Sequence, residues 1–303
     1  MPRVAYLGPE GTFTEAALLQ MAAANMVPIT DFEPFAAGSP AAALEMVRAG
    51  DADYACVPIE NSIEGSVLPT LDSLAAGSLV QIFAEFTLDI AFTIAARSGV
   101  TEPSSIAAYP VARAQVARWV AKNMPNARFQ AADSNAAAAV DVAEGRADAA
   151  VTTELATTRY GLSPLATGVI DEPNARTRFV LAGQPAPPPD RTGADRTSVV
   201  LRLDNVPGAL VAAMTEFAIR DIDLTRIESR PTRVELGTYI FFLDCVGHID
   251  DDPVAQALKA LHRRCSDVRY LGSWPTGAAD GAVPPPMDDA ERWLTSLKSR
   301  GQR

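Results

Sequence analysis

The chain has 303 residues, 48% hydrophobic and 21% charged, which is enough to bury the cores of two or three ordinary domains and too apolar for a broadly disordered protein. Its formal net charge of -11 argues against nucleic acid and anionic membrane as partners, and it requires that any anionic substrate find positive charge gathered locally in a cleft. Met1 to Gly8 lacks the pattern of a secretory signal, no charge-free apolar run is long enough for a membrane span, and Cys56, Cys245 and Cys265 are odd in number and widely spaced; a cytoplasmic protein with buried, reduced thiols is expected.

Arg3 to Leu7 alternates into a short strand that stops at Gly8-Pro9. Thr12, with Glu15 three residues later, is a capping-box pattern opening an alanine-rich helix near Thr14 to Ala24. Strand, tight turn and helix N-terminus in that order form a place where an anion can bind. Residues 39–55 and 134–150 then echo each other at an offset of 95: Ser39, Ala41, Ala42, Ala43, Val47, Gly50, Ala52, Asp53 and Ala55 all recur. Each copy reads as a helix, a glycine C-cap and a strand, either by duplication or as two units of similar wiring. The first two thirds of the chain are therefore expected to form two α/β lobes. The echoed strands run out into Val57-Pro58-Ile59-Glu60-Asn61-Ser62 and Thr152-Thr153-Glu154. Ligands of open α/β sheets sit beyond such carboxyl ends, so a cleft between the lobes is the natural site.

Between the echoes, Ile90 to Ala96 reads as a second-lobe strand and Val111 to Met124 as a helix, which places the second lobe at about 81–165. The piece after Asn174 ends in a strand that returns to the first lobe, and the two-lobed part spans 1–184. The Pro-rich stretch at 185–195 is a linker. Beyond it come the strand Thr197 to Leu203, the helix Gly208 to Ile219 opened by Pro207, and the strands Asp223 to Ser229 and Thr238 to Val246. The helix Val254 to Cys265 and the strand Val268 to Ser273 complete the series. The order βαββαβ over 196–276 is ferredoxin-like, with sheet edges that tend to pair with a second copy. The tail, 277–303, is Gly/Pro-rich and then carries a short amphipathic helix, Asp288 to Leu297.

Two places carry candidate chemistry. Asn61, Ser62 and Glu64 follow a strand, where polar residues serve either as turn and cap or as ligands. In Arg176-Thr177-Arg178 two guanidiniums flank a hydroxyl, and guanidiniums match carboxylates bidentately. On an ideal strand both arginines face one side and Thr177 the other, unless a bulge intervenes. His248 and His262, the only histidines, lie in the last quarter, so catalysis in the first two thirds must do without histidine, and zinc there is improbable.

The segments Val4 to Thr14, Val57 to Val67 and Thr177-Arg178-Phe179 resemble the signatures of prephenate dehydratases. Gly208-Ala209-Leu210-Val211 and Glu228-Ser229-Arg230-Pro231 resemble the two phenylalanine-binding motifs of that family's ACT regulatory domain. The motifs occur in order over nearly residues 3–275, and the whole chain is most similar to the actinobacterial form. The resemblance implies an α/β two-lobed, periplasmic-binding-protein-like catalytic part followed by an α+β ACT domain. It implies conversion of prephenate to phenylpyruvate, CO2 and water, with feedback by L-phenylalanine and self-association through ACT domains as homodimer or homotetramer. No cofactor and no metal are implied. Thr177 would be essential, Arg178 would hold a substrate carboxylate, and Asn61, Ser62, Glu64, Gln115 and Phe179 would line the substrate site. Asn205, Gly208, Ala209, Leu210, Val211, Glu228, Ser229, Arg230 and Pro231 would hold phenylalanine. Where the family often has His-Pro-Gln, this chain has Tyr109-Pro110-Val111, which leaves Gln115 as the surviving polar group there. Two other readings remain open from the residues: an arogenate dehydratase, and a non-catalytic two-lobed amino-acid sensor.

Overall fold

The computed structural model describes residues 1–26, 29, 31–276 and 288–299. It groups into two compact units: Met1–Leu74 with Glu85–Gln184, and Ala75–Ala84 with Pro185–Arg303. The first contains two sheets and the second contains one.

The chain opens with β1 (Arg3–Leu7), α1 (Phe13–Ala23), β2 (Glu33–Ala37), α2 (Pro40–Ala49) and β3 (Tyr54–Asn61). β1 lies between β2 and β3, parallel to both. A short β4 (Gly65–Ser66) folds back on β3, and α3 (Leu68–Ala75) and β5 (Gln81–Asp89) follow. Next come β6 (Phe92–Ala96), β7 (Ser105–Ala108), α4 (Pro110–Asn123), β8 (Arg128–Ala131), α5 (Asn135–Ala143), β9 (Ala149–Thr152), α6 (Glu154–Arg159) and β10 (Ser163–Val169). The chain then returns as β11 (Arg176–Gly183), antiparallel to β3. The first sheet has the order β2-β1-β3-β11-β5 and the second β10-β6-β9-β7-β8. This is the two-lobed α/β plan that the resemblance implied.

The echo is structural. Ser39 caps α2 by accepting the Ala42 N–H at 3.1 Å, and Ser134 caps α5 by accepting that of Ala137 at 2.9 Å. Gly50 and Gly145 both turn the chain off in the left-handed region. The echoed aspartates do matching work as well. Asp53 accepts the Arg3 N–H at 2.7 Å, and Asp148 accepts the N–H groups of Ser104 and Ser105 at 2.9 and 3.1 Å. Each closes the start of the neighbouring parallel strand. The alanines of the second copy are buried together: Ala136, Ala138, Ala139, Ala147 and Ala150 form one cluster with Val142. Small side chains let helix and sheet approach closely with little rotamer entropy lost.

One element differs from expectation. Gln81–Asp89, placed at the start of the second lobe by the sequence, is the edge strand of the first sheet beside β11. Glu85 is the lone acid in Ile82-Phe83-Ala84-Glu85-Phe86. In the structure that side chain is buried and paired.

The C-terminal series is β12 (Asp195–Arg202), α7 (Ala209–Ala218), β13 (Leu224–Pro231), β14 (Tyr239–Val246), α8 (Asp252–Arg264) and β15 (Asp267–Pro275), then α9 (Asp288–Ser299). The sheet order β13-β14-β12-β15 is the expected ferredoxin-like arrangement. Val199 and Leu201 of β12 and Leu243 and Cys245 of β14 pack against Phe217 of α7 and Val254 and Leu261 of α8. Arg226 grips Asp244 with two hydrogen bonds of 2.8 and 2.9 Å, and Ser198 donates to the same carboxylate at 2.7 Å. The expected tail helix is present as α9, while its Gly/Pro-rich approach, 277–287, lies outside the described residues. Cys56 and Cys245 are buried free thiols, and burial pushes both thiol pKa values up, that of Cys245 to about 12. Among the described residues no helix is long and apolar enough to cross a membrane, and no cluster of His, Cys, Asp or Glu could hold a metal ion.

Candidate active site

The ends of β3 and β11 lie side by side, with Thr177 opposite Asn61 and Arg178 opposite Glu60. Directly opposed residues share a face of the sheet and neighbours along a strand alternate, so Thr177 and Asn61 form one face while Arg178 and Glu60 form the other. A register shift falls between Arg178 and Phe179 and leaves this alternation at the strand ends intact.

On the first face, the Asn61 amide Nδ2 donates to Thr177 Oγ1 at 2.9 Å. Asn61 Oδ1 accepts the N–H groups of Ile63 and Glu64 at 2.8 and 2.9 Å. That pair of backbone donors fixes which end of the amide is oxygen, so Nδ2 must face the threonine. Thr177 Oγ1 thus has an acceptor lone pair occupied, and its own proton remains available to donate. Thr177 is buried, whereas Ser62 and Glu64 are exposed. The Ser62 hydroxyl donates to the Asn174 carbonyl at 3.0 Å and accepts the Arg176 N–H at 2.9 Å, stapling the approach to β11 against the end of β3.

The second face is ionic. Arg178 binds Glu60 at 2.9 Å and Glu85 of β5 at 3.1 Å, so a guanidinium on the middle strand bridges carboxylates from both neighbours. The Arg178 and Glu85 side chains are only 7% and 5% exposed. Arg178, expected to hold a substrate carboxylate, pairs here with acids of the protein itself. Its charge is engaged by two carboxylates of the protein, on the face away from Thr177. Phe179, another expected ligand contact, is 2% exposed and buried in the core.

Gln115 sits on α4 in the second lobe, buried, and its Oε1 has no hydrogen-bond partner among the described residues. The loop from β10 to β11 ties it to the first face. The Asp171 N–H donates to the Gln115 carbonyl at 2.7 Å, and three residues later Asn174 receives Ser62. The turn after β1 joins the lobes elsewhere. The Gly11 N–H donates to Glu15 at 2.5 Å, Arg159 of α6 grips both Glu15 oxygens at 2.7 and 3.1 Å, and Thr153 donates to the Gly11 carbonyl at 2.5 Å. A Cβ on Gly11 would come within 2.9 Å of the Ala156 Cβ, and its φ of +87° already favours glycine. The anion place expected at this helix N-terminus is thus filled by the protein's own Glu15. Sequence reasoning missed Glu60, Glu85 and the Glu15–Arg159 pair. Long-range partners of opposite charge leave no local pattern in the sequence.

The family model described as Prephenate dehydratase matches residues 4–187, and that of the ACT domain matches residues 197–263. The chain belongs to the prephenate dehydratase family. The prephenate dehydratase of Mycobacterium sp. (strain JLS) is 68% identical over 98% of this chain and 96% of its own length. That of Mycobacterium tuberculosis (strain ATCC 25177 / H37Ra) is 64% identical over 99% and 95%. The prephenate dehydratase of Arthrobacter aurescens, solved in complex with L-Phe, is 41% identical with a TM-score of 0.87, covering 98% of this chain and 99% of that one.

In the ACT domain, Gly208 is the N-cap of α7, and a cavity of about 110 Å³ opens beside it. Asn205, Ala209 and Leu210 line it, facing Thr238, Tyr239 and Phe241. Val211 is 69% exposed and lies outside the lining. Glu228, Ser229, Arg230 and Pro231 do not line this cavity; they lie on β13, the edge strand beyond β14. A single chain therefore brings only the first motif to the cavity.

Proposed function

We propose that this chain converts prephenate to phenylpyruvate, CO2 and water at the Thr177–Asn61 face, and that L-phenylalanine bound at the ACT domain regulates it. The observation that carries the catalytic reading is the Thr177–Asn61 hydrogen bond with its amide orientation fixed. Prephenate is a dianion. As the C–CO2 bond breaks, its electron pair enters the ring, the ring becomes aromatic, and the C4–O bond breaks toward hydroxide. Aromatisation drives the step, so neither a strong nucleophile nor a metal ion is called for. What is required is a donor aimed at the departing oxygen. Thr177 fits: Asn61 supplies a hydrogen bond to Oγ1, which polarises the hydroxyl, and the threonine proton points at the developing hydroxide in the transition state. Threonine is a weak acid, so it stabilises by hydrogen bonding while water takes its final proton from solvent. Ser62 and the loop through Asn174 hold the two strand ends together. Gln115, buried with an amide oxygen not spent on the protein, is a further polar group for the substrate.

For regulation, phenylalanine sits by the Gly208 turn, where backbone N–H groups at the start of α7 meet its carboxylate. The second motif, on an edge strand with Ile227 56% exposed, comes from a second copy, so the effector site is completed by self-association. The test is an assay of purified full-length protein with prephenate and with arogenate, each with and without phenylalanine. Turnover of prephenate is expected. Faster turnover of arogenate would move the substrate assignment, and no turnover of either would leave the two-lobed sensor.

A further inference from the structure

The cavity beside Gly208 has an electrostatic sign that its ligand must match. Among the described residues that line it, Asp204 alone is charged; the rest are apolar or carry neutral amides and hydroxyls. Asp204 stands on the turn between β12 and α7, where its backbone carbonyl accepts the Val206 N–H at 2.8 Å. Its carboxylate is exposed and takes no hydrogen bond and no ion pair among the described residues. Further along the same turn, the Ala209 N–H is engaged by the Val206 carbonyl at 3.2 Å, and Gly208 has no side chain to cap α7. The Leu210 N–H meets no acceptor among the described residues. One free anion and one free backbone donor thus share the cavity, with Tyr239 and Phe241 of β14 as its aromatic wall.

We propose that Asp204 is the specificity-determining residue of the effector site: its carboxylate takes the ammonium of an amino acid whose own carboxylate meets the start of α7, so the cavity answers to phenylalanine and turns away aromatic acids that lack an amino group. The inference rests on the reading of L-phenylalanine as the effector bound at this cavity. Phenylpyruvate has the carboxylate and the benzyl group of phenylalanine, with a keto oxygen in place of the ammonium, and prephenate is a dianion. A helix start and an aromatic wall alone would accept phenylpyruvate nearly as well as phenylalanine, and the enzyme would answer to its immediate product. A lone carboxylate acts against this twice. It gives the ammonium a charge-assisted hydrogen bond, and it sets an unpaired like charge against any acid that brings no cation. A group waiting for a hydrogen-bond partner rejects the analogue lacking it far better than an apolar pocket rejects a change of size. The discrimination develops as the ligand displaces water from the carboxylate, because the local dielectric then falls.

The experiment is calorimetry on full-length wild type, Asp204→Asn and Asp204→Glu. It measures the affinity for L-phenylalanine and the displacement of bound phenylalanine by phenylpyruvate and by hydrocinnamate, which keeps the ring and the carboxylate and has no amino group. Reading displacement separates this cavity from the catalytic face. In wild type, either acid should need a concentration about a hundredfold or more above that of phenylalanine to compete. In Asp204→Asn, phenylalanine affinity should fall roughly tenfold while both acids compete better than in wild type. Asp204→Glu, which keeps the charge, should retain most of the preference. Hydrocinnamate that displaces phenylalanine from wild type at comparable concentration would overturn the proposal, whatever the variants do. So would unchanged phenylalanine affinity in a folded Asp204→Asn protein, or a loss that leaves the ratio of phenylalanine to hydrocinnamate affinity at its wild-type value. Failure of the underlying reading is seen separately, as wild type that binds no phenylalanine.

Discussion

The two echoed units share their caps, their glycine stops and their strand-closing aspartates, yet they diverge after the last echoed residue. β3 runs eight residues and carries Asn61 out to meet Thr177 on the returning β11. β9 runs four and turns at once into α6, whose residues lock onto the turn after β1 through Thr153 and Arg159. One unit thus ends in a neutral pair with a proton to give, and the other in a charged fastening between lobes. Similar scaffolds leave function to the few residues beyond the strand, where the two sequences no longer match.

That contrast is broken or sharpened by removing the distinguishing residue at each end. The largest effect is expected at the first. Thr177→Ala should lower kcat by about a hundredfold or more if the hydroxyl stabilises the leaving oxygen. Thr177→Ser, which keeps the hydroxyl, should stay much closer to wild type. Steady-state kinetics on the folded variants checks both, and a Thr177→Ala enzyme with near-normal turnover would remove the role. Asn61→Ala acts at one remove, on the polarity and aim of that hydroxyl, and should cost roughly tenfold in kcat. A loss as large as that of Thr177→Ala would mean that Asn61 meets the substrate directly.

Much of this was legible before any coordinates. The offset of 95 was readable because Ser, Gly and Asp mark helix starts and stops by local chemistry, and the structure uses them so. The motifs at 61–62 and 177 were visible as polar residues at strand ends, and the register confirms that they are neighbours. The partner of Arg178 was not legible. Its two carboxylates lie 118 and 93 residues away in the chain, and no periodicity encodes a contact across strands β3, β11 and β5. For the same reason the second lobe was expected to begin at about 81, whereas Gln81–Asp89 joins the first sheet: the neighbour a strand pairs with is decided by the fold as a whole. The second phenylalanine motif was readable as sequence, but its distance from the first within one chain appears only in the sheet order.

At the second unit's end, Arg159→Ala should act on stability more than on chemistry. It strands the Glu15 carboxylate, only 6% exposed, while Arg159 itself is 30% exposed, so solvent offsets part of the loss. A cost of about 1–3 kcal/mol is expected, less than for a fully buried pair. Thermal melts should show a lower midpoint while kcat per folded molecule stays within about threefold of wild type, since Arg159 spends its hydrogen bonds on Glu10 and Glu15 and such a fastening contributes little to transition-state binding. A kcat loss comparable to that of Thr177→Ala would merge the two ends into one site.

The smallest effect concerns what the units share. The hydroxyl and N–H of Ser104, with the N–H of Ser105, hold the Asp148 carboxyl below the usual carboxylate range. A carboxyl whose folded pKa is depressed stabilises the protein above its unfolded value, about 3.9, and that contribution is lost as pH falls through the lower folded value. Asp148→Asn keeps the shape and an acceptor oxygen but loses the charge, so at neutral pH it should cost less than about 1 kcal/mol at so open a site. The gap between variant and wild type should begin to close as the pH drops below about 4, and should vanish only below the depressed folded value, where the wild-type carboxyl is neutral too. Denaturant titrations at neutral and acid pH read this directly. A gap that persists unchanged in acid would show that the residue acts by geometry alone, and that the shared aspartate is kept for its turn and not for its charge.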